Sequence, residues 1–228
     1  MSNKYDAMID LYRGEIPKSL VKGLIQTESG WKEKAENKAP DAPGGGPKIG
    51  LMQPSKTGLK DALDVDVVQP SMLQNPTDNI RIGSTILNHY WQKLQKDFPG
   101  GFGKPLDADA NAVALLVHAY TMGYEPIAAM MRAAGSTSYR QVANANRGDI
   151  GIQRHWSDRV LEAARKFGYT QILPGGALVP SGGGGSGPGP APGPAPSDGK
   201  KSNALLWVLG AAAVGGVGLY LAKKKRRR

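Results

Sequence analysis

Apolar residues recur at three- and four-residue spacing through most of the first 170 positions, in runs separated by short Gly/Pro breaks. This is the periodicity of helices with one buried face. Pro17 suits a helix start, and Leu20, Val21, Leu24 and Ile25 then fall on one face. Asn75-Pro76 reads as an N-cap followed by a first-turn proline, opening a helix whose stripe is Ile80, Gly83, Leu87, Tyr90, Trp91 and Leu94. A third helix is expected from about Asp107, with Val113, Leu116, Val117 and Tyr120 facing the core. A fourth is expected from near Asp149, carrying Ile152, Trp156, Val160 and Ala164 until Gly168 ends it. Strand-like alternation is sparse, so the globular part, residues 1–173, is expected to be mainly α.

One position breaks the pattern. Glu28 follows Leu20 and Leu24 at steps of four and so continues an apolar stripe, just before Gly30 stops the helix. A carboxyl group there is partly desolvated and lies at the negative end of the helix dipole; both effects favour its protonated form. A carboxyl kept protonated near neutrality suits general acid catalysis of glycosidic cleavage. Periodicity alone also fits, and more readily, a solvated glutamate at a frayed helix end.

Composition changes abruptly after residue 173. Residues 174–202 (PGGALVPSGGGGSGPGPAPGPAPSDGKKS) are too poor in apolar side chains to form a core and are expected to be a flexible linker, with a reach of roughly 30 Å as coil and more where prolines stiffen it. Within 203–222, the 19 residues from Ala204 to Ala222 are uncharged. As a helix they would be about 28 Å long, close to the hydrocarbon thickness of a bilayer. Trp207 and Tyr220 stand near opposite ends, where aromatic side chains favour the interface. A single C-terminal transmembrane helix is the expectation, with a buried core helix as its alternative. The polybasic tail, Lys223 to Arg228, closes the chain.

Charge is just as unevenly placed. The net +10 includes six cations in that tail and two at Lys200 and Lys201. Without those eight and Asp198, 21 basic and 18 acidic residues remain, a balance of +3 that makes no nucleic-acid-binding surface of the globular part. The tail itself suits anionic lipid headgroups or phosphate backbones equally. Cysteine is absent, which excludes disulfides, thiolate catalysis and cysteine-based zinc sites. The three histidines, including His118 and His155, have no ligand spacing, and neither a metal nor a cofactor is expected. The N-terminal residues lack the apolar run of a secretory signal, so any export would need another route.

Four short motifs then occur in order. Gln26-Thr27-Glu28-Ser29-Gly30-Trp31 resembles the Q-x-E-S-G-aromatic signature of the Slt-type lytic transglycosylases, and Gly50-Leu51-Met52-Gln53 resembles their GLMQ signature. Asn75-Pro76, Asn79-Ile80, Gly83 and Leu87 are similar to the N-P-x-x-N-I-x-x-G-x-x-x-L helix of that family, and Ala119-Tyr120 with Gly123 to its A-Y-N-x-G signature. The resemblance covers roughly residues 15–165 and implies a goose-lysozyme-like α domain with a groove for the glycan strand of peptidoglycan. It implies that Glu28 protonates the oxygen between N-acetylmuramic acid and N-acetylglucosamine and then takes the proton of the muramoyl C6 hydroxyl, closing a 1,6-anhydro ring without water. Ser29 would hydrogen-bond near the acid or the substrate, Met52 and Gln53 would line the groove, and Tyr120 would hydrogen-bond Glu28. Trp156 would stand where the family commonly has a tyrosine facing the glutamate. Tyr120 and Trp156 also read as core aromatics.

The sequence departs from the family pattern at Thr121, where asparagine is usual, at Pro54, which follows Gln53 directly, and at a Gly/Pro-rich insertion around 39–48, expected as a surface loop at the groove. Asp41 and Asp61 remain candidates for the second carboxylate of a hydrolytic lysozyme. A fold that grips peptidoglycan without cutting it is a further alternative. The linker and anchor resemble wall-digesting proteins of bacteriophage particles, opening the wall during genome entry; a bacterial-envelope enzyme is the alternative setting.

Overall fold

The computed structural model describes residues 3–37, 48–66, 68–103, 105–145 and 151–171, with only the backbone of 107 and 151–155. The chain divides into two units, Met1–Leu178 and Val179–Arg228. The linker at 174–202, the span at 203–222 and the tail at 223–228 lie outside the described residues, as does most of the insertion, Asp41 included. Among the described residues no helix is long and apolar enough to cross a membrane.

The first unit is mainly helical. Its elements are α1 (Asp6–Tyr12), α2 (Lys18–Glu28), a two-stranded antiparallel ribbon of β1 (Glu36–Asn37) and β2 (Lys48–Ile49), α3 (Lys56–Leu63), α4 (Pro70–Gln74), α5 (Pro76–Asp97), α6 (Ala110–Met122), α7 (Tyr124–Ala134), α8 (Tyr139–Ala145) and α9 (Gly151–Arg165). The expected start at Asp107 falls in a single 3-10 turn, Leu106–Ala108; the α-helix begins after Asp109, whose side chain caps it by accepting from the Ala112 N–H. Asn75 caps α5 as expected, accepting from the N–H groups of Thr77 and Asp78.

The core centres on α6. Its residues 112–121 are all buried, not only the stripe read from the sequence, because a helix apolar on every side is stable only when surrounded. Its histidine, His118, is tied by Nε2 to the Tyr139 hydroxyl of α8 at 3.0 Å and to the Ser157 hydroxyl of α9 at 2.5 Å. That buried contact fixes α9 against α6. On its other side α9 lies along α2, and there the axes approach closely: a Cβ on Gly23 would stand 2.6 Å from the Ala164 nitrogen and 2.7 Å from the Val160 oxygen. Glycine at 23 is therefore what lets the end of α2 and the middle of α9 share one wall.

Candidate active site

Glu28 is the last residue of α2. The helix ends because Gly30 and Trp31 both take left-handed backbone angles, φ 57° and 69°. Trp31 holds that strained conformation through its indole N–H, which donates to Gln26 at 2.7 Å, and through stacking on Tyr5. The turn directs Glu28 into a cavity of about 520 Å³. Ser29, Gln53, Trp156 and Arg159 share its lining, and so do Lys32, Glu36 and Asn37 on the segment that follows the helix.

Burial pushes the Glu28 carboxyl up to about 7, against the opposing pull of Lys48 and Arg159. The carboxyl is thus protonated in a large fraction of molecules near neutrality, as the interrupted apolar stripe suggested.

The loop from Gly50 to Gln53 contributes Gln53 to the cavity lining. Gly50 has φ +87°, and a Cβ there would meet the Leu73 carbonyl oxygen at 2.1 Å, so no other residue fits. The fully buried Asn79 of α5 holds the loop from behind. Its amide donates to the carbonyls of Ile49 at 2.9 Å and Leu73 at 2.7 Å, and its oxygen accepts from the Met52 N–H at 2.7 Å. Gly83, one turn further along α5, makes room for the Met52 side chain, since a Cβ would come within 2.6 Å of its sulfur. The second and third motifs are thus one device: a loop and the helix that anchors it.

The side chains expected around Glu28 divide on inspection. Gln53 lines the cavity, is 3% exposed, and adopts φ 50°, a left-handed angle that only the pinned loop sustains. Trp156 lines it too, from α9. Met52 does not: its side chain is fully buried against α5, because the loop turns it inward while Gln53 turns outward. Ser29 lines the cavity, but its hydroxyl donates to the Ile25 carbonyl at 3.0 Å and accepts from the Trp31 N–H at 3.2 Å, closing the helix end. Tyr120 donates its hydroxyl to the Met52 carbonyl at 2.8 Å, not to Glu28. Burial, reinforced by the nearby Glu28 charge, keeps that phenol protonated. Its part is to hold the loop that faces the acid.

Asp61, a candidate second carboxylate, is exposed on α3, accepts from the Tyr90 hydroxyl at 2.9 Å, and is not among the cavity-lining residues. The carboxylate that does share the cavity is Glu36, which no motif singled out. Lys48 ends the stretch expected as a surface loop, yet it lies in β2 and is only 5% exposed. Neither was legible, because a two-residue strand carries no alternation to reveal which way its side chains point. Among the described residues no group of His, Asp and Glu side chains could hold a metal ion.

The profile of the transglycosylase SLT domain matches residues 9–143, more than half of the chain, and the chain belongs to that family. Members of the family are lytic transglycosylases, and the domain marks peptidoglycan as the material acted upon. The match takes in Glu28, the Gly50–Gln53 loop, Asn79 and Tyr120 and stops before α9, so the places of Trp156 and Arg159 at the site rest on geometry alone. Comparison with the curated proteins finds no match.

Proposed function

We propose that the chain is a lytic transglycosylase that cuts the β-1,4 bond between N-acetylmuramic acid and N-acetylglucosamine with Glu28 as both acid and base. The observation that supports this is a carboxyl at the end of α2, held at about 7 by burial and facing a cavity beside Gln53 and Trp156. The Glu28 proton passes to the glycosidic oxygen as the C1–O bond breaks. The carboxylate left behind takes the proton of the muramoyl C6 hydroxyl while that oxygen bonds to C1. Glu28 ends protonated, no water is consumed, and the product carries a 1,6-anhydro terminus.

Glu28→Gln keeps the shape of the side chain and removes the proton. It should lower the clearing of purified cell walls by roughly a hundredfold or more in a protein that still melts cooperatively. Undiminished clearing by the folded variant would remove Glu28 from the role.

Glu36 favours a second reading. A second carboxylate lining the same cavity suits the general base of an inverting hydrolase, which activates water on the opposite face of the sugar. Under that reading Glu36→Gln would abolish cleavage and the wild-type products would carry reducing ends.

The same proposal extends to residues 174–228. A Gly/Pro-rich linker, an uncharged run at 204–222 and the cations of 223–228 suit an enzyme tethered to a membrane by one C-terminal span. Six basic residues after the span against two lysines before it favour a cytoplasmic C-terminus, or its equivalent in a virion, with the tail against anionic lipid. A phage particle that opens the wall locally for genome entry is the setting this architecture suits.

A further inference from the structure

Lys48 is 5% exposed and appears in none of the ion pairs among the described residues. An ammonium withdrawn from water costs several kcal/mol unless a counter-charge offsets it, so its place needs a reason. The backbone around it is stitched to the cavity wall on both sides. Lys48 stands opposite Asn37 in the ribbon, and two residues on, the Gly50 N–H donates to the Ala35 carbonyl at 2.8 Å. Ala35, Glu36 and Asn37 all line the cavity that Glu28 enters. The opposite charge that acts on Lys48 is Glu28.

We propose that Lys48 is a positioning residue for the reaction: its buried ammonium is the counter-charge for the carboxylate that Glu28 becomes after giving its proton to the substrate. This rests on Glu28 as the acid and base. Other groups face the same carboxyl: Arg159 from α9, Lys32 from the segment after α2, Glu36 from β1 and Tyr120 from α6. Arg159, Lys32 and Glu36 are exposed, so water screens them, and the Tyr120 hydroxyl is uncharged and committed to Met52. Lys48 alone of these charges is sheltered, and a sheltered charge acts most strongly on its neighbour. Burial raises the cost of the Glu28 carboxylate and Lys48 lowers it again. The two together let one side chain release a proton in the first step and collect one in the second.

The test is the pH dependence of kcat/KM on soluble glycan strands, measured with the full chain. Lys48→Met keeps the bulk of the stem and removes the charge. It should move the alkaline limb to higher pH by roughly one unit and lower the plateau several-fold, while Lys48→Arg keeps the limb near that of the wild type. Arg159→Ala should displace the limb much less, whatever it does to the rate. A second measurement needs no turnover. The Glu28 carboxyl, followed by carbon NMR, should titrate higher in Lys48→Met. By reciprocity, the Lys48 amine should titrate lower in Glu28→Gln. Unchanged Glu28 titration in a folded Lys48→Met, or equal displacement by Met and Arg, overturns the proposal. Full activity of Glu28→Gln would instead overturn the acid/base reading beneath it, and that is read in a separate assay.

Discussion

Glu28 sits where its charge is disfavoured, and that has a thermodynamic signature apart from catalysis. Its carboxyl titrates at about 7 in the folded chain against an ordinary 4.5, so the native state binds the proton more tightly than the unfolded chain does. The stabilisation this confers is complete below about pH 4.5 and is lost as pH rises through 7. Glutamine at 28 cannot titrate. From about pH 5 to about pH 8, wild-type stability should therefore fall by up to about 3 kcal/mol relative to Glu28→Gln, which urea midpoints at the two pH values would measure. A constant difference would mean that the carboxyl is not desolvated. Helical period made Glu28 legible, because Leu20 and Leu24 point where it points. It could not show that Ser29 and Tyr120 spend their hydroxyls on backbone carbonyls, or that Met52 turns inward, since those depend on contacts between distant segments.

Elements were legible in proportion to their length and contrast. α2, α5 and α9 carry long apolar stripes, and α5 carries its own cap. α1, α3, α4 and α8 are eight residues or fewer, too short for periodicity to separate from loop, and α7 follows Gly123 so closely that the pattern runs on. The crossing of α2 and α9 was not legible either, although it builds the wall that carries Trp156 and Arg159. Gly23→Ala tests it. The added methyl would meet backbone atoms of α9 that cannot turn aside, so the helices must separate. A loss of about 1–3 kcal/mol is expected, with a fall in wall clearing even where the variant remains fully folded. Unchanged stability would mean that α9 does not bear on α2 as described.

At the scale of the whole molecule, the chain pairs a unit of the transglycosylase SLT family with a C-terminal segment of different physical character. The sequence alone speaks for that segment. A fragment ending near Gly175 should remain in the aqueous phase with full activity on wall fragments, while the full chain partitions into detergent or vesicles. A full chain that stays in the aqueous phase without detergent would dispose of the anchor. The central claim, however, concerns the products proposed for the first unit. Mass spectrometry of muropeptides released from purified walls tests it most directly. The account predicts 1,6-anhydro-muramoyl termini from the wild type and none from Glu28→Gln; reducing muramoyl ends, each heavier by one water, would contradict it and pass the second role to Glu36.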